Sequence, residues 1–309
     1  MAKIGLGTAQ LGLPYGNKAK MELMSLTDAA EIVDVALNHK VAFFDTAIGY
    51  GLSEERLGLL NVKERSPSTV LATKIPAVEK AIWSDQGLFL EWVSSHILES
   101  LKRLKITRHE LLQFHQCEVE FLTHPSVKYV FGRLLEMPEV QSIGVSVYFM
   151  DQALAAIDTK IITWLQVPVN IVDRRFLADD FLSLVKSTGI KLIARSSFLQ
   201  GVLVPQADLP PIKRIGELQE LKSLALSACH HMGTPLSLDE VAIQFLFSNH
   251  ADSLDVILIG VDSAEALRHN LAIIDRANAP LSVRDLALFD RAMNFAAERE
   301  LFNPGNWNK

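Results

Sequence analysis

The sequence predicts a one-domain α/β protein, a (β/α)8 TIM barrel, and three observations carry that expectation. Eight short aliphatic runs recur along the 309 residues, a helical pattern follows each run, and the helix after the last run can return the chain to its start. An open doubly wound sheet also alternates strand and helix, but eight units with a returning helix suit closure. No low-complexity run or hinge-like linker divides residues 1–309, so one domain is expected over that whole span.

The runs are Lys3–Gly7, Val41–Phe44, Thr69–Thr73, Glu110–Phe114, Ser142–Val145, Thr163–Val167, Ile190–Ala194 and Asp255–Ile259. Each is nearly continuous in apolar residues, as a parallel strand covered on both faces must be. Between the first two, Ser25 or Thr27 can cap a helix that turns Ala30, Val33, Ala36 and Leu37 inward. Between the third and fourth, Leu90, Val93, Ile97, Leu98, Leu101 and Leu104 repeat at helical spacing, with Glu91, Glu99, Lys102 and Arg103 opposite. The stretch 195–254 is too long for one helix. It predicts two, over 212–231 and 237–250, after a loop at Asp208-Leu209-Pro210-Pro211. Ser263 can cap the last barrel helix, which turns Leu267, Leu271 and Ile274 inward. A tail from about residue 301 to 309 follows.

Composition narrows the function classes. The chain is 49% hydrophobic and 21% charged, ordinary for a globular protein. A net charge of −6 offers no basic field for nucleic acid. Cys117 and Cys229 are far apart and outside any CxxC spacing, which argues against a disulfide framework or structural zinc. His230-His231 point different ways on a helix, so no metal site is expected there. The run Val256-Ile257-Leu258-Ile259 is far below the roughly 20 residues of a membrane span. A cytoplasmic setting without membrane attachment is the expectation. Gly5-Leu6-Gly7 before Gly12 lacks the GxGxxG spacing of a dinucleotide turn.

A barrel carries its chemistry at the C-terminal ends of its strands. There the second, third and fourth strands present Asp45, Lys74 and His115, with Tyr50 in the loop behind Asp45. Neighbouring strands lie about 4.8 Å apart, so these side chains can converge. A free phenol has a pKa near 10, and a nearby ammonium draws it down. Lys74 could supply that charge, Asp45 could hold Lys74, and His115 could donate a hydrogen bond to a carbonyl oxygen. Together they make an acid–base site for protonating an oxygen. The plainer alternative is an ordinary ion pair beside a core histidine.

Further segments extend the pattern. They are Gly7-Thr8-Ala9-Gln10-Leu11-Gly12, Phe44-Asp45-Thr46-Ala47 with Tyr50-Gly51 and Ser53-Glu54, and Leu112-Gln113-Phe114-His115. Then come Ile143-Gly144-Val145-Ser146, Leu165-Gln166-Val167-Pro168-Val169-Asn170, Ile193-Ala194-Arg195-Ser196 with Gln200-Gly201, and Ile259-Gly260 through to Asn270. In this order the chain resembles the aldo-keto reductases, bacterial members most of all. The resemblance implies an NADP(H)-dependent oxidoreductase reducing an aldehyde or ketone, with NAD(H) as the alternative cofactor. Its catalytic tetrad falls on Asp45, Tyr50, Lys74 and His115, Tyr50 being the proton donor. Its cofactor positions fall on Thr8, Asp45, Ser146, Gln166, Arg195, Ser196, Gly260 and Asn270.

Two departures stand out. Val147 replaces the Asn or Asp usual after Ser146, and Arg195 falls where many members stack an aromatic ring on the nicotinamide, although arginine occurs there in bacterial relatives and a planar guanidinium can stack similarly. The usual 2′-phosphate clamp falls on the uncharged Gly260 and Ala266, with Asp262 between them and Arg268 on another face. Those gaps motivate an alternative, a cofactor-sensing regulatory protein with little turnover. A third reading makes Lys74 a Schiff-base nucleophile, which pairing with Asp45 disfavours. Asn17, Lys20, Trp83 and Gln116 stand in loops that could touch a small-molecule carbonyl substrate, whose identity the loops do not specify. Tyr148, at the end of the fifth strand, could line the pocket or serve packing, and the resemblance implies a tail in which Trp307 could cover the pocket or lie free on the surface. Oligomeric state is equally unspecified.

Overall fold

In a computed structural model, which describes residues 2–14, 22–115, 117–209, 212–277 and 279–308, eight parallel strands close into a barrel with β8 paired back to β1. The strands are β1 (Lys3–Gly7), β2 (Phe43–Asp45), β3 (Val70–Ile75), β4 (Leu111–His115), β5 (Ile143–Ser146), β6 (Trp164–Pro168), β7 (Lys191–Arg195) and β8 (Val256–Gly260). After the first, each starts one or two residues later than the apolar runs suggest. Val41 shows why: it is 1% exposed, but its amide donates to Ala36 O at 2.9 Å and so finishes a helix. Apolar character marks burial, and ladder pairing is a separate matter.

Helices wrap the barrel. Ser25 caps Leu26–Asn38 by accepting from Asp28 N at 3.1 Å, and Ala29 rather than Ala30 turns fully inward. Asp85 caps Gln86–Leu104 by accepting from Gly87 N and Leu88 N. On that helix Leu98 is 58% exposed and does not join the inward face, because Ile97 already occupies it. Arg103 is also not a free outer charge, since it reaches Glu54 at 2.7 Å. The long segment before β8 forms Ile215–His230 and Leu238–Gln244, the second running on into a π-helical turn at Phe245–Asn249. Asp208 and Leu209 form part of a loop, whereas Pro210 and Pro211 lie outside the described residues. Ser263 caps Ala264–Arg276 by accepting from Ala266 N. The tail is packed: Trp307 is 2% exposed and its indole N–H donates to Leu301 O at 3.0 Å.

Successive strand residues face opposite sides, and this alternation builds the barrel interior in layers. The lower layer is an apolar plug of Phe43, Ala72, Leu111, Ile193, Val256 and Leu258. Each large side chain buried there contributes about 1.5–3 kcal/mol. Gly5 belongs to this layer because a Cβ on it would come within 2.5 Å of Leu258. Two residues further along the strands the interior turns polar, with Asp45, Lys74, Gln113, Ser146, Gln166 and Arg195. The upper layer is therefore a polar floor over an apolar plug, at the strand ends where loops can shape a site.

Candidate active site

A cavity of about 580 Å³ opens above that floor, within the usual size range of ligand sites. Tyr50 and His115 line one end, and Asn270, His269 and Asp239 line the other. Thr8, Asp45, Gln166, Arg195, Ser196 and Gly260 also line it. Lys74 and Ser146, 0% and 2% exposed, lie in the floor beneath. Every residue singled out as catalytic or cofactor-binding thus falls on one cavity or directly under it. Trp83 is buried against Phe121, away from the cavity, and Asn17, Lys20 and Gln116 lie outside the described residues.

Tyr50 is set by its loop. Gly12 packs so tightly under it that a Cβ would meet Tyr50 O at 1.9 Å, and Leu52 N donates to Gly12 O at 3.1 Å. Ser53 ties the same loop to β1 by donating to Thr8 Oγ1 at 2.8 Å, and Thr8 donates to Asp45 O at 3.0 Å. Thr8 therefore braces the strand carrying Asp45 as well as lining the cavity.

Asp45 is the hub of the floor. One carboxylate oxygen accepts from Lys74 Nζ at 2.6 Å, and the other accepts from Gln166 Nε2 at 2.9 Å and Gln113 Nε2 at 3.2 Å. Lys74 also donates to Thr46 O at 2.8 Å. Ser146 donates to Gln166 at 3.0 Å and accepts from Arg195 Nε at 3.3 Å. A continuous hydrogen-bonded chain thus runs from Arg195 through Ser146, Gln166 and Asp45 to Lys74. Gln113, which the residue pattern contained but did not distinguish, completes the carboxylate's set.

The electrostatics differ from the sequence expectation in one respect. The Tyr50 phenol is pushed above its ordinary value, by burial first and by the Asp45 charge second. Lys74 Nζ stands 5.0 Å from the ring centroid, but its charge is offset by Asp45 at 2.6 Å. The cation that draws the phenol down is Arg195. Burial pulls the Lys74 ammonium below its ordinary value while Asp45 holds the proton on. His115 is pushed down to about 3, by burial first and then by Lys74 and Arg195, so it is neutral at pH 7. A neutral imidazole can donate a hydrogen bond to a carbonyl. Its ring meets Tyr50 edge-on at 6.1 Å. Among the described residues neither Tyr50 nor His115 spends its polar side-chain atoms on a hydrogen bond, and both face the cavity.

The Arg195 guanidinium lies 3.9 Å from the Tyr148 ring centroid, and Tyr148 too lines the cavity. The loop after β7 is irregular, with Ser196, Leu199 and Gln200 at φ of 61°, 45° and 49°. Pro304 and Gly305 of the tail border the cavity, so the tail edges it while Trp307 anchors below. Asp239 and His269, whose side chains approach to 2.7 Å, were not distinguished in the sequence, where they stand 30 residues apart. Among the described residues no group of three or more His, Cys, Asp or Glu is arranged to hold a metal ion, and no helix is long and apolar enough to cross a membrane.

Comparison with known proteins agrees with this fold. The chain superimposes on the holo form of aldo-keto reductase AKR11C1 from Bacillus halodurans with a TM-score of 0.71, 21% identity, 94% of this chain and 91% of that chain covered. Its apo form gives 0.64, 20% identity and 87% coverage of each chain. PA4992 from Pseudomonas aeruginosa gives 0.64, 18% identity, with 89% of this chain and 90% of that chain covered. At such identities the likeness is one of fold. No curated protein sequence matches the chain. The Aldo/keto reductase family profile matches residues 3–293. With a closed barrel, a polar floor at its mouth and a profile match along nearly its full length, the chain belongs to the aldo/keto reductase family, whose work is carbonyl oxidoreduction with a nicotinamide cofactor.

Proposed function

We propose that the protein reduces an aldehyde or ketone, with Tyr50 as proton donor and His115 orienting the carbonyl oxygen. The observation that carries this reading is the pairing of an uncommitted phenol and an uncommitted neutral imidazole at 6.1 Å, beside a buried Lys74–Asp45 pair. Proton transfer from a phenol builds negative charge on its oxygen. Arg195 stabilises that charge as it forms, and Lys74, whose Nζ lies 5.0 Å from the ring centroid, adds what its pairing with Asp45 leaves, which is where electrostatic help lowers a barrier. Asp45 fixes Lys74 and keeps it protonated. The same groups run the reverse oxidation, with Tyr50 taking the proton back.

A nicotinamide dinucleotide, when bound, supplies the hydride from C4 of its ring. The donor set suits one. Gln166 and Arg195 offer polar and planar contacts near Tyr50, and the Ser263-capped helix begins beside the cavity residues Val261 and Asp262, where a helix N-terminus suits a phosphate. NADP(H) is the cofactor the family resemblance suggests. NAD(H) is a second reading, favoured by the far end of the cavity. There the lining includes Asp239, Asp262 and His269, and the single Arg or Lys among the described lining residues is Arg195 at the opposite end. Among the described lining residues a 2′-phosphate there would meet Asp239 and Asp262 and no Lys or Arg.

The test is Tyr50→Phe assayed against a panel of carbonyl compounds, with NADPH and NADH titrated in parallel by nicotinamide fluorescence. We expect turnover to fall by about 10²–10⁴-fold while the dinucleotide Kd stays within a few-fold. Undiminished carbonyl reduction in that variant overturns the role of Tyr50. Tight dinucleotide binding by the wild type without turnover on any carbonyl favours a cofactor-sensing protein instead.

A further inference from the structure

The guanidinium of Arg195 is fixed on every side except one. Nε donates to Ser146 Oγ at 3.3 Å, Nη1 to Ser196 Oγ at 3.1 Å and Nη2 to Val147 O at 2.9 Å. These bonds tie down its three nitrogens in the guanidinium plane. The Tyr148 ring covers one face, with the guanidinium carbon 3.9 Å from its centroid. Arg195 lines the cavity and is only half-buried, and among the described residues no ring stacks on the face opposite Tyr148. All four neighbours are uncharged. Among the described residues no carboxylate forms an ion pair with Arg195, which therefore keeps its full positive charge.

We propose that Arg195, held flat by Tyr148, is a cationic platform that makes the site bind the reduced nicotinamide more tightly than the oxidised one. This rests on the reading of the cavity as a nicotinamide site. The argument is one of charge. An aromatic platform presents a negative π-face and welcomes the positively charged oxidised ring. A guanidinium platform has the opposite preference: the neutral reduced ring stacks on it without cost, and the oxidised ring meets a like charge. Two unit charges at contact separation differ in binding by about fivefold under water-like screening and about a thousandfold at a protein-like dielectric. A site with this bias loads reduced cofactor readily and releases oxidised cofactor quickly, while the hydride step itself works against the like charge that develops on the ring. Tyr148 is the positioning residue, because without it the guanidinium can tilt out of the stacking plane. Val147 fits the same arrangement, since its carbonyl takes an Arg195 donor.

The experiment measures Kd for reduced and oxidised dinucleotide separately, by fluorescence and by calorimetry, without substrate. Wild type is expected to favour the reduced form by tenfold or more. Arg195→Met should lower that ratio at least tenfold, while Arg195→Lys keeps most of it and weakens both forms. Tyr148→Ala should narrow the ratio threefold or more, and Tyr148→Phe should restore it. If Arg195→Met does not fold, the Tyr148 pair still decides the matter. Binding of both forms at a ratio that stays fixed across the variants overturns the platform alone. Binding of neither form by the wild type overturns the nicotinamide reading as well.

Discussion

Asp45 and Glu54 are both buried carboxylates tied to a cation, and β3 separates them. Lys74 turns into the barrel mouth to meet Asp45 at 2.6 Å, while its neighbour Thr73 turns outward to donate to Glu54, also at 2.6 Å. Behind the wall Glu54 accepts from Ser100 at 2.6 Å and from Arg103 at 2.7 Å. Burial, pairing and short hydrogen bonds are common to both. The company each carboxylate keeps differs. The Asp45 network borders Tyr50 and His115, whose polar atoms face open space. The Glu54 network ends in a guanidinium whose side chain is 30% exposed, and Glu54 does not line the cavity that Asp45 borders. Behind the wall Arg103 Nη2 also lacks a hydrogen bond but is sealed from solvent, so a buried charge points to chemistry where the uncommitted groups beside it open on a ligand-sized cavity.

The strongest way to break this contrast is to remove one member from each side. Lys74→Met should abolish measurable carbonyl reduction, and it leaves Asp45 buried without its cation, at a cost of about 3–5 kcal/mol in a urea melt. Glu54→Gln should cost about 2–3 kcal/mol, less because Arg103 keeps access to water, with kcat of the folded enzyme nearly unchanged. Lost turnover in folded Glu54→Gln would erase the distinction.

Each side also holds a histidine, which allows a pH test. His109, behind the wall, is pushed down to about 4 by burial, with the Glu54 charge opposing, and His115 to about 3. Both folded values lie below the unfolded value of about 6.5. Below that pH the unfolded chain takes up protons that the folded chain refuses, so stability falls as pH drops from 6.5 toward 4. The slope approaches about 1.4 kcal/mol per pH unit for each histidine. Urea midpoints should therefore drop between pH 7 and pH 5, and His109→Asn should remove one histidine's share. A midpoint independent of pH over that range would mean that neither ring is held neutral by the fold.

A third carboxylate sharpens the comparison from outside. Asp239 meets His269 at 2.7 Å, but the histidine side chain is 57% exposed. Asp239→Asn should improve NADPH binding relative to NADH by about two- to fivefold, the modest scale of a solvent-screened charge. Fluorescence titration measures it, and an unchanged ratio would detach Asp239 from cofactor choice.

The sequence carried the barrel because eight apolar runs and their helices are local signals. It carried the placement of Asp45, Lys74 and His115 at one rim, because strand ends meet there whatever the loops do. Leu98 was misread because it sits one residue from Ile97, and a helical stripe that narrow does not tolerate an offset. The Arg195–Tyr148 stack joins loops after β5 and β7, and the Asp239–His269 pair joins two separate helices. Neither has a local signature. The left-handed Leu199 and Gln200 were equally hidden, since neither is a residue that favours such backbone.

The back-to-back placement of Thr73 and Lys74 also limits redesign. A one-residue slip of β3 would swing the ammonium out toward Glu54 and the hydroxyl in toward Asp45, scrambling both clusters at once. An engineer seeking new substrates should leave the spacing from 69 to 75 untouched. Length and composition are better varied in the loops that follow the strands.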